Sequence, residues 1–272
     1  MSYQIPGTGL PAAQLCRYGV SRLQVRGPRR DLDRPYFAFL GGAETFGRFV
    51  ETPFAALVEE ALDLPCVNLG CINAGLDAFL HDVEIMRIAR AAQAVVIQLP
   101  AAHTLSNRFY RVHPRRNDRF VAASSMLKTL YPEVDFTDFH FVRHMLGSLR
   151  RCSDRRFAVV QLELEQAWIA RMRLTLRTLD CPTVALWLQY RDSSDGALPG
   201  EEPMFVTSDM VRALGPQAEH VLHVTVSRSA EAGDLGDMIG GALNAPAAAH
   251  LPGPSAHRQV AAKLTEVLRP FA

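Results

Sequence analysis

The chain alternates between short apolar runs and longer stretches in which apolar residues return every three or four positions. Residues 36–42 (Tyr-Phe-Ala-Phe-Leu-Gly-Gly) are too short for a helix and close on two glycines, which predicts a buried strand followed by a tight turn. Pro53 follows, and Phe54, Leu57, Val58, Ala61 and Leu62 recur behind it at helical spacing, with the proline placed where a first turn tolerates it. The couple repeats: a strand over 65–70 with a helix over 83–92, then a strand over 94–99 ended by Pro100. After an insertion, the pattern predicts a helix near 139–152 and a fourth strand over 157–164. A helix over 166–179, strands over 183–188 and 221–226, and a closing helix over 256–268 complete the series.

Continuous apolar strands alternating with helices predict a single three-layer α/β/α domain with a mostly parallel sheet, because both faces of such a sheet must be covered. Residues 1–34, rich in Gly, Pro and Arg and without a sustained period, are read as an extended leader packed on the domain surface. Residues 35–272 form the domain, interrupted by a helical insertion at about 101–150. Sites in parallel sheets lie beyond the carboxyl ends of the strands. The chemistry is therefore sought in the loops 41–52, 70–82, 100–138, 190–208 and 227–255.

Composition narrows the classes. With 48% hydrophobic and 21% charged residues the 272-residue chain has the balance of a globular domain, and a net charge of +1 gives no global pull towards nucleic acid or a membrane surface. Five scattered cysteines lack the paired spacing of zinc sites or disulfide scaffolds, so reduced and mostly buried thiols are expected. The amino terminus has no secretory pattern and no run is long enough to span a bilayer, which makes a cytoplasmic protein the expectation. No phosphate-binding or dinucleotide fingerprint is present, so no cofactor is implied.

Two glycine-rich loops stand at equivalent places after the first two strands. The first is Gly41-Gly42-Ala43-Glu44-Thr45-Phe46-Gly47 and the second Asn68-Leu69-Gly70-Cys71-Ile72-Asn73-Ala74-Gly75. Glycines there either make tight turns or let backbone N–H groups approach a ligand. The first loop resembles the Gly-Asp-Ser-x-Thr-x-Gly block of the SGNH (GDSL-like) hydrolases, with Gly41, Thr45 and Gly47 in register. The second resembles that family's Asn-x-Gly block. Asn107 is the nearest match to the family's donor asparagine, and the segment from Ala247 through His250 to His257 to its Asp-x-x-His and Gly-His elements. The resemblance implies a flavodoxin-like sheet. It also implies a ligand or oxyanion pocket drawn from Gly42, Gly70 or Gly75, Asn73 and Asn107, with His250 as the base.

The departures from that pattern bear on activity. Ala43 stands where the family has its serine, Gly42 where it has the aspartate of the block, and Ala247 where it has the aspartate that orients the histidine. The family's ester hydrolysis is unavailable without its nucleophile. Cys71 paired with His250 is the candidate replacement, with Thr45 and Ser106 weaker ones and Glu44 a candidate acid or base; each also reads as an ordinary packed or solvated residue, Cys71 and His250 more readily so than as catalytic groups.

The insertion carries Arg108, Arg111, His113, Arg115, Arg116 and Arg119 with a single aspartate, Asp118, interleaved with Phe109 and Tyr110. Such a cluster is either a solvated loop or a site for a phosphate, sulfate or carboxylate. His140 and His144 would share a helix face, but two imidazoles are too few for a metal site, and none is expected. His220 and His223 fall on opposite faces of their strand. The leading expectation is a domain that binds, or transfers an acyl group on, an anionic or carbohydrate-like small molecule. The alternatives are an esterase with a non-serine nucleophile and a non-catalytic scaffold that binds a partner protein. No specific nucleic-acid partner is expected, and the sequence leaves the oligomeric state open.

Overall fold

The computed structural model describes residues 15–191, 203–215 and 217–272, without the side chains of residues 241 and 242. The described part of the leader has two short strands, β1 (Leu15–Cys16) and β2 (Val25–Arg26), which pair antiparallel. The domain proper opens with β3 (Phe37–Leu40), the short α1 (Ala43–Phe46) and α2 (Phe54–Leu62). It continues through β4 (Cys66–Asn68), α3 (Leu76–Leu80), α4 (Val83–Arg90) and β5 (Ala94–Gln98). The insertion contributes β6 (Tyr110–His113), β7 (Arg116–Ala123), α5 (Ser125–Leu130) and α6 (Val142–Cys152). Then come α7 (Asp154–Leu179), β8 (Thr183–Tyr190), α8 (Ser208–Arg212) and β9 (His220–Val226). The chain closes with α9 (Ser229–Ala232), α10 (Gly241–Ala248) and α11 (Pro254–Leu268).

The central sheet has five strands in the order β4-β3-β5-β8-β9, all parallel. Counted by appearance this is 2-1-3-4-5, the doubly wound order in which the chain reverses direction across the sheet between its first and third strands. One face is covered by α2 and α11 through Phe37, Phe39, Phe54, Val58, Val260 and Leu264, all buried. The other packs on α4 and α7 through Ala38, Leu40, Ile85, Ile88, Trp168 and Met172. Three-layer α/β/α packing is thus the fold the alternation of strands and helices predicts.

Two expectations are corrected. The run 157–164 is not a strand but the first turns of α7, so the sheet has five strands rather than six. Phe157, Val160, Leu164 and Trp168 are buried at intervals of three and four, whereas Val159 and Leu162 face solvent, a helical pattern that outweighs the β-branched dipeptide Val159-Val160. The insertion is not purely helical either: β6 and β7 form an antiparallel hairpin with register shifts around Val112.

The leader does more than lie on the surface. Arg26 is buried and donates to the carbonyls of Phe46 and Gly47 through one terminal nitrogen and of Val50 and Glu51 through the other. Its guanidinium also lies 5.6 Å from the Phe46 ring. No carboxylate neutralises it among the described residues, and burial pulls its pKa down to about 10. The insertion is tied in by charge: Arg108 pairs with buried Glu163, and Arg171 with buried Asp77, whose other oxygen accepts from the Ser106 N–H at 3.0 Å. Among the described residues no helix is long and apolar enough to cross a membrane.

Candidate functional site

The reversal of strand order places the ends of β3 and β5 side by side at the rim, where an open α/β sheet has its crevice. At that point Gln98, the last residue of β5, reaches into the turn after β3. Its Oε1 accepts from Gly42 N (3.2 Å), Thr45 N (3.3 Å) and Thr45 Oγ1 (2.6 Å). Three donors on one atom fix that atom as the carbonyl oxygen, so Nε2 points the other way and donates to Glu44 Oε2 at 3.0 Å. Tyr190, at the end of β8, donates its hydroxyl to Glu44 Oε1 at 3.1 Å. Arg228 lies 5.0 Å from the Tyr190 ring centroid. Glu44 is therefore held from both sides at the mouth of the sheet.

Gly41 is required by this arrangement. A Cβ there would stand 2.0 Å from Thr45 Oγ1 and 2.6 Å from Gln98 Oε1, so a side chain would displace the clasp. Gly47 ends α1 in the left-handed region at φ 71, where glycine is favoured. The start of the last helix and the segment before it reach the same rim: Pro252 and His257 share with Glu44, Phe54 and Val226 the lining of one small space. His257 Nδ1 accepts from Phe54 N at 3.0 Å and its ring stacks on Phe54 at 5.4 Å. Burial, with the nearby Arg26 charge, lowers its pKa to about 3, so it is a neutral imidazole that fixes the start of α2.

Three of the four proposed donors, Gly42, Gly70 and Asn107, have internal partners. Gly42 N is bonded to Gln98, and Gly70 N to Asn68 Oδ1 at 2.9 Å, while Asn68 Nδ2 holds Thr45 O. Asn107 folds on its own turn, accepting from Phe109 N and Tyr110 N and donating to Leu105 O. Asn73 sits at φ 64 and its carbonyl accepts from Asn117 N at 2.8 Å. Buried Asn117 also accepts from Gly75 N at 2.6 Å and donates to His113 O at 2.9 Å. This one side chain docks the hairpin turn onto the second glycine loop.

Cys71 is buried, and burial followed by the Asp82 charge pushes its thiol up to about 11, a neutral group whose sulfur lies 4.0 Å from Ile72 O. That is packing geometry rather than a thiolate beside a base. The Thr45 hydroxyl is likewise buried and engaged with Gln98. His250 is exposed, in the turn after α10, two residues before Pro252. Of the cysteines, all five are free and only Cys66 and Cys71 are buried.

On the hairpin, Arg108 is committed to Glu163 and Arg119 covers the Phe141 ring at 4.1 Å. Arg111, Arg115 and Arg116 make no side-chain ion pair with any described residue. His113 Nδ1 accepts from the backbone N–H groups of Arg115 and Arg116, and burial plus the charges of those two arginines lower its pKa. His140 precedes α6 while His144 lies within it, so the two imidazoles do not share a helix face. Among the described residues no three His, Cys, Asp or Glu side chains converge as metal ligands. Part of the loop after β8 falls outside the described residues.

Sequence reasoning missed Gln98, Tyr190, Arg26 and Asn117. The available signal was a polar residue ending each of two apolar strands, Gln98 in Ala-Val-Val-Ile-Gln and Tyr190 in Thr-Val-Ala-Leu-Trp-Leu-Gln-Tyr.

Residues 1–272 match the family model described as "Domain of unknown function (DUF6473)". No curated protein matches. Among solved structures, one likeness is to a carbohydrate esterase family 2 enzyme plus carbohydrate binding domain from Corynascus thermopiles (Myceliophthora fergusii). It has a TM-score of 0.45 and 9% identity over 90% of this chain and 69% of that one. Another is to the lipase Lip_vut3 from a goat rumen metagenome, with a TM-score of 0.44 and 13% identity over 85% of this chain and 96% of that one.

Proposed function

The chain belongs to the family of unknown function DUF6473, whose description assigns no chemistry, and we propose from its own residues that it binds a hydroxyl-bearing, carbohydrate-like small molecule carrying an anionic group. The observation that carries the reading is Glu44, held at the switch point by Gln98 and Tyr190. Each of its oxygens accepts one internal donor and keeps a further lone-pair direction, the acceptor geometry that sugar hydroxyls satisfy. Hydrolysis through an acyl-enzyme is disfavoured because Ala43 offers no nucleophile and the N–H groups of Gly42 and Gly70 already have protein acceptors. A developing oxyanion needs donors aimed at it. The anionic part of the reading rests on Arg111, Arg115 and Arg116, carried by a hairpin whose turn Asn117 binds to the 70–77 loop.

The test is calorimetric titration with glucuronate, glucose 6-phosphate, glucose and inorganic phosphate, repeated on Glu44→Gln. Glucuronate or glucose 6-phosphate binds wild type more tightly than glucose or phosphate alone, and Glu44→Gln weakens it at least tenfold. Absence of binding by both charged sugars would sink the proposal. Hydrolysis of short acyl esters that disappears in Cys71→Ala and His250→Ala would establish the esterase alternative instead.

A further inference from the structure

The outer face of the β6-β7 hairpin carries a group of donors that the fold does not use. Tyr110 and Val112 of β6 are buried, so strand alternation turns Arg111 and His113 the other way. His113 pairs in register with Arg116 across the turn, and cross-strand partners share a face. Arg115 lies in the turn between them. Residues 110–119 thus hold four guanidiniums, Arg111, Arg115, Arg116 and Arg119, against one carboxylate, Asp118, whose Oδ2 lies 3.9 Å from Arg119 Nε.

His113 distinguishes this face from an ordinary solvated patch. Its Nδ1 accepts from Arg115 N and Arg116 N, each at 3.2 Å, so that atom bears no proton and the neutral ring carries its hydrogen on Nε2. Nε2 has no acceptor among the described residues and, unlike His103 Nδ1, is not enclosed. A fixed N–H donor therefore shares a face with arginines that make no side-chain ion pair with any described residue. The turn is also close to Glu44. A Cβ on Gly42 would lie 3.3 Å from Glu44 Oε2 and 3.9 Å from Ala74 O, and the next residue, Gly75, is the one whose N–H Asn117 holds at 2.6 Å.

The geometry points to a phosphate monoester as the group bound on this face, held by Arg111, Arg116 and the Nε2–H of His113, with Arg115 adding charge. This rests on the anionic half of the reading of a charged, hydroxyl-bearing ligand and narrows it to one chemical group. A monoester carries about −1.5 to −2 charge at pH 7 and three strong acceptor oxygens, one for each of the three donor side chains. A carboxylate, a sulfate ester or the phosphodiester of a nucleic acid brings a single charge to the same cluster of cations.

Calorimetric titration of the full chain with methyl phosphate, methyl sulfate, dimethyl phosphate and acetate reads the group apart from any sugar. It is run at low salt and about pH 8, above the second phosphate ionisation near 6. Methyl phosphate is expected to bind at least tenfold more tightly than each of the other three. Arg111→Ala/Arg116→Ala should remove that advantage, and Arg212→Ala, an exposed arginine on α8, should leave it in place. In ¹⁵N NMR the His113 Nε2 resonance, assigned with His113→Gln, should move saturably with methyl phosphate. A competitor that equals methyl phosphate, an affinity untouched by the double substitution, or an unmoved His113 resonance overturns the proposal. Failure of the sugar reading looks different: glucose 6-phosphate then binds no better than methyl phosphate. Glucuronate that matches glucose 6-phosphate would keep the sugar and overturn the phosphate.

Discussion

The turn after β3 and the turn of the hairpin are both loops of the kind that carries function, but they are built in opposite ways. In the first, nearly every polar group faces inward: Gln98 collects three donors, Arg26 collects four carbonyls, and a glycine is needed wherever backbone and side chain crowd. In the second, one buried asparagine fixes the backbone and three arginines are left without carboxylates among the described residues. A loop with its donors engaged is scaffolding that presents one group, here Glu44. A loop with its cations unpaired does not spend its charge on holding the fold. Motif-like glycines therefore mark rigidity in this chain, and the open charges are where the proposed anion contact is placed.

The sharpest way to break that contrast is Arg26→Met. It removes the donors of four carbonyls in a buried turn and should cost about 3–5 kcal/mol, since each group left unpaired costs roughly 1–3 kcal/mol before relaxation. Thermal denaturation should show a midpoint lower by on the order of 10 °C. A drop no larger than a surface substitution gives would mean the first turn does not depend on the leader.

A smaller effect should come from acid. His257 is held neutral with its pKa lowered to about 3, against roughly 6.5 when unfolded, so between these values the unfolded chain binds the extra proton. Stability should then fall as pH drops through this window, by about 2 kcal/mol from pH 6 to pH 4 for this group. Arg26 opposes its charging and Asp234 favours it. Urea unfolding across that range, compared with His257→Phe, should show the variant's pH slope shallower by about one proton. Equal slopes would mean that His257 is not held neutral at the start of α2.

The smallest effect on folding belongs to the hairpin. The double substitution Arg115→Ala/Arg116→Ala should change stability by less than about 0.5 kcal/mol, as exposed positions do, yet weaken charged-sugar binding more than neutral-sugar binding. Stability loss comparable to that of Arg26→Met would erase the distinction between the two loops.

The layered fold was legible because the strands at 37–40, 66–68, 94–98, 183–190 and 220–226 are apolar runs bounded by Gly, Pro or polar residues. The run at 157–164 misled because Ala158-Val159-Val160 has strand-like composition, while the helical spacing of Phe157, Val160, Leu164 and Trp168 shows only over a longer window. The hairpin was legible in part: Tyr110 and Val112 alternate with polar neighbours ahead of Pro114, but the arginines that follow read as loop. Of the site, the two glycine loops and Glu44 were visible from the sequence. Their partners were not, because Gln98, Tyr190 and Asn117 act across 42 to 146 residues of chain, a separation that periodicity does not register.

The position of Arg26 also redraws the border of the folding unit. A fragment starting at residue 35 would keep every strand of the central sheet, yet it would leave a hollow beneath the crevice floor where a guanidinium now bridges Phe46 to Glu51. The stretch that reads in sequence as an appended arm is a keystone, and its removal would be felt at the loop after the first strand of the central sheet rather than at the molecule's edge.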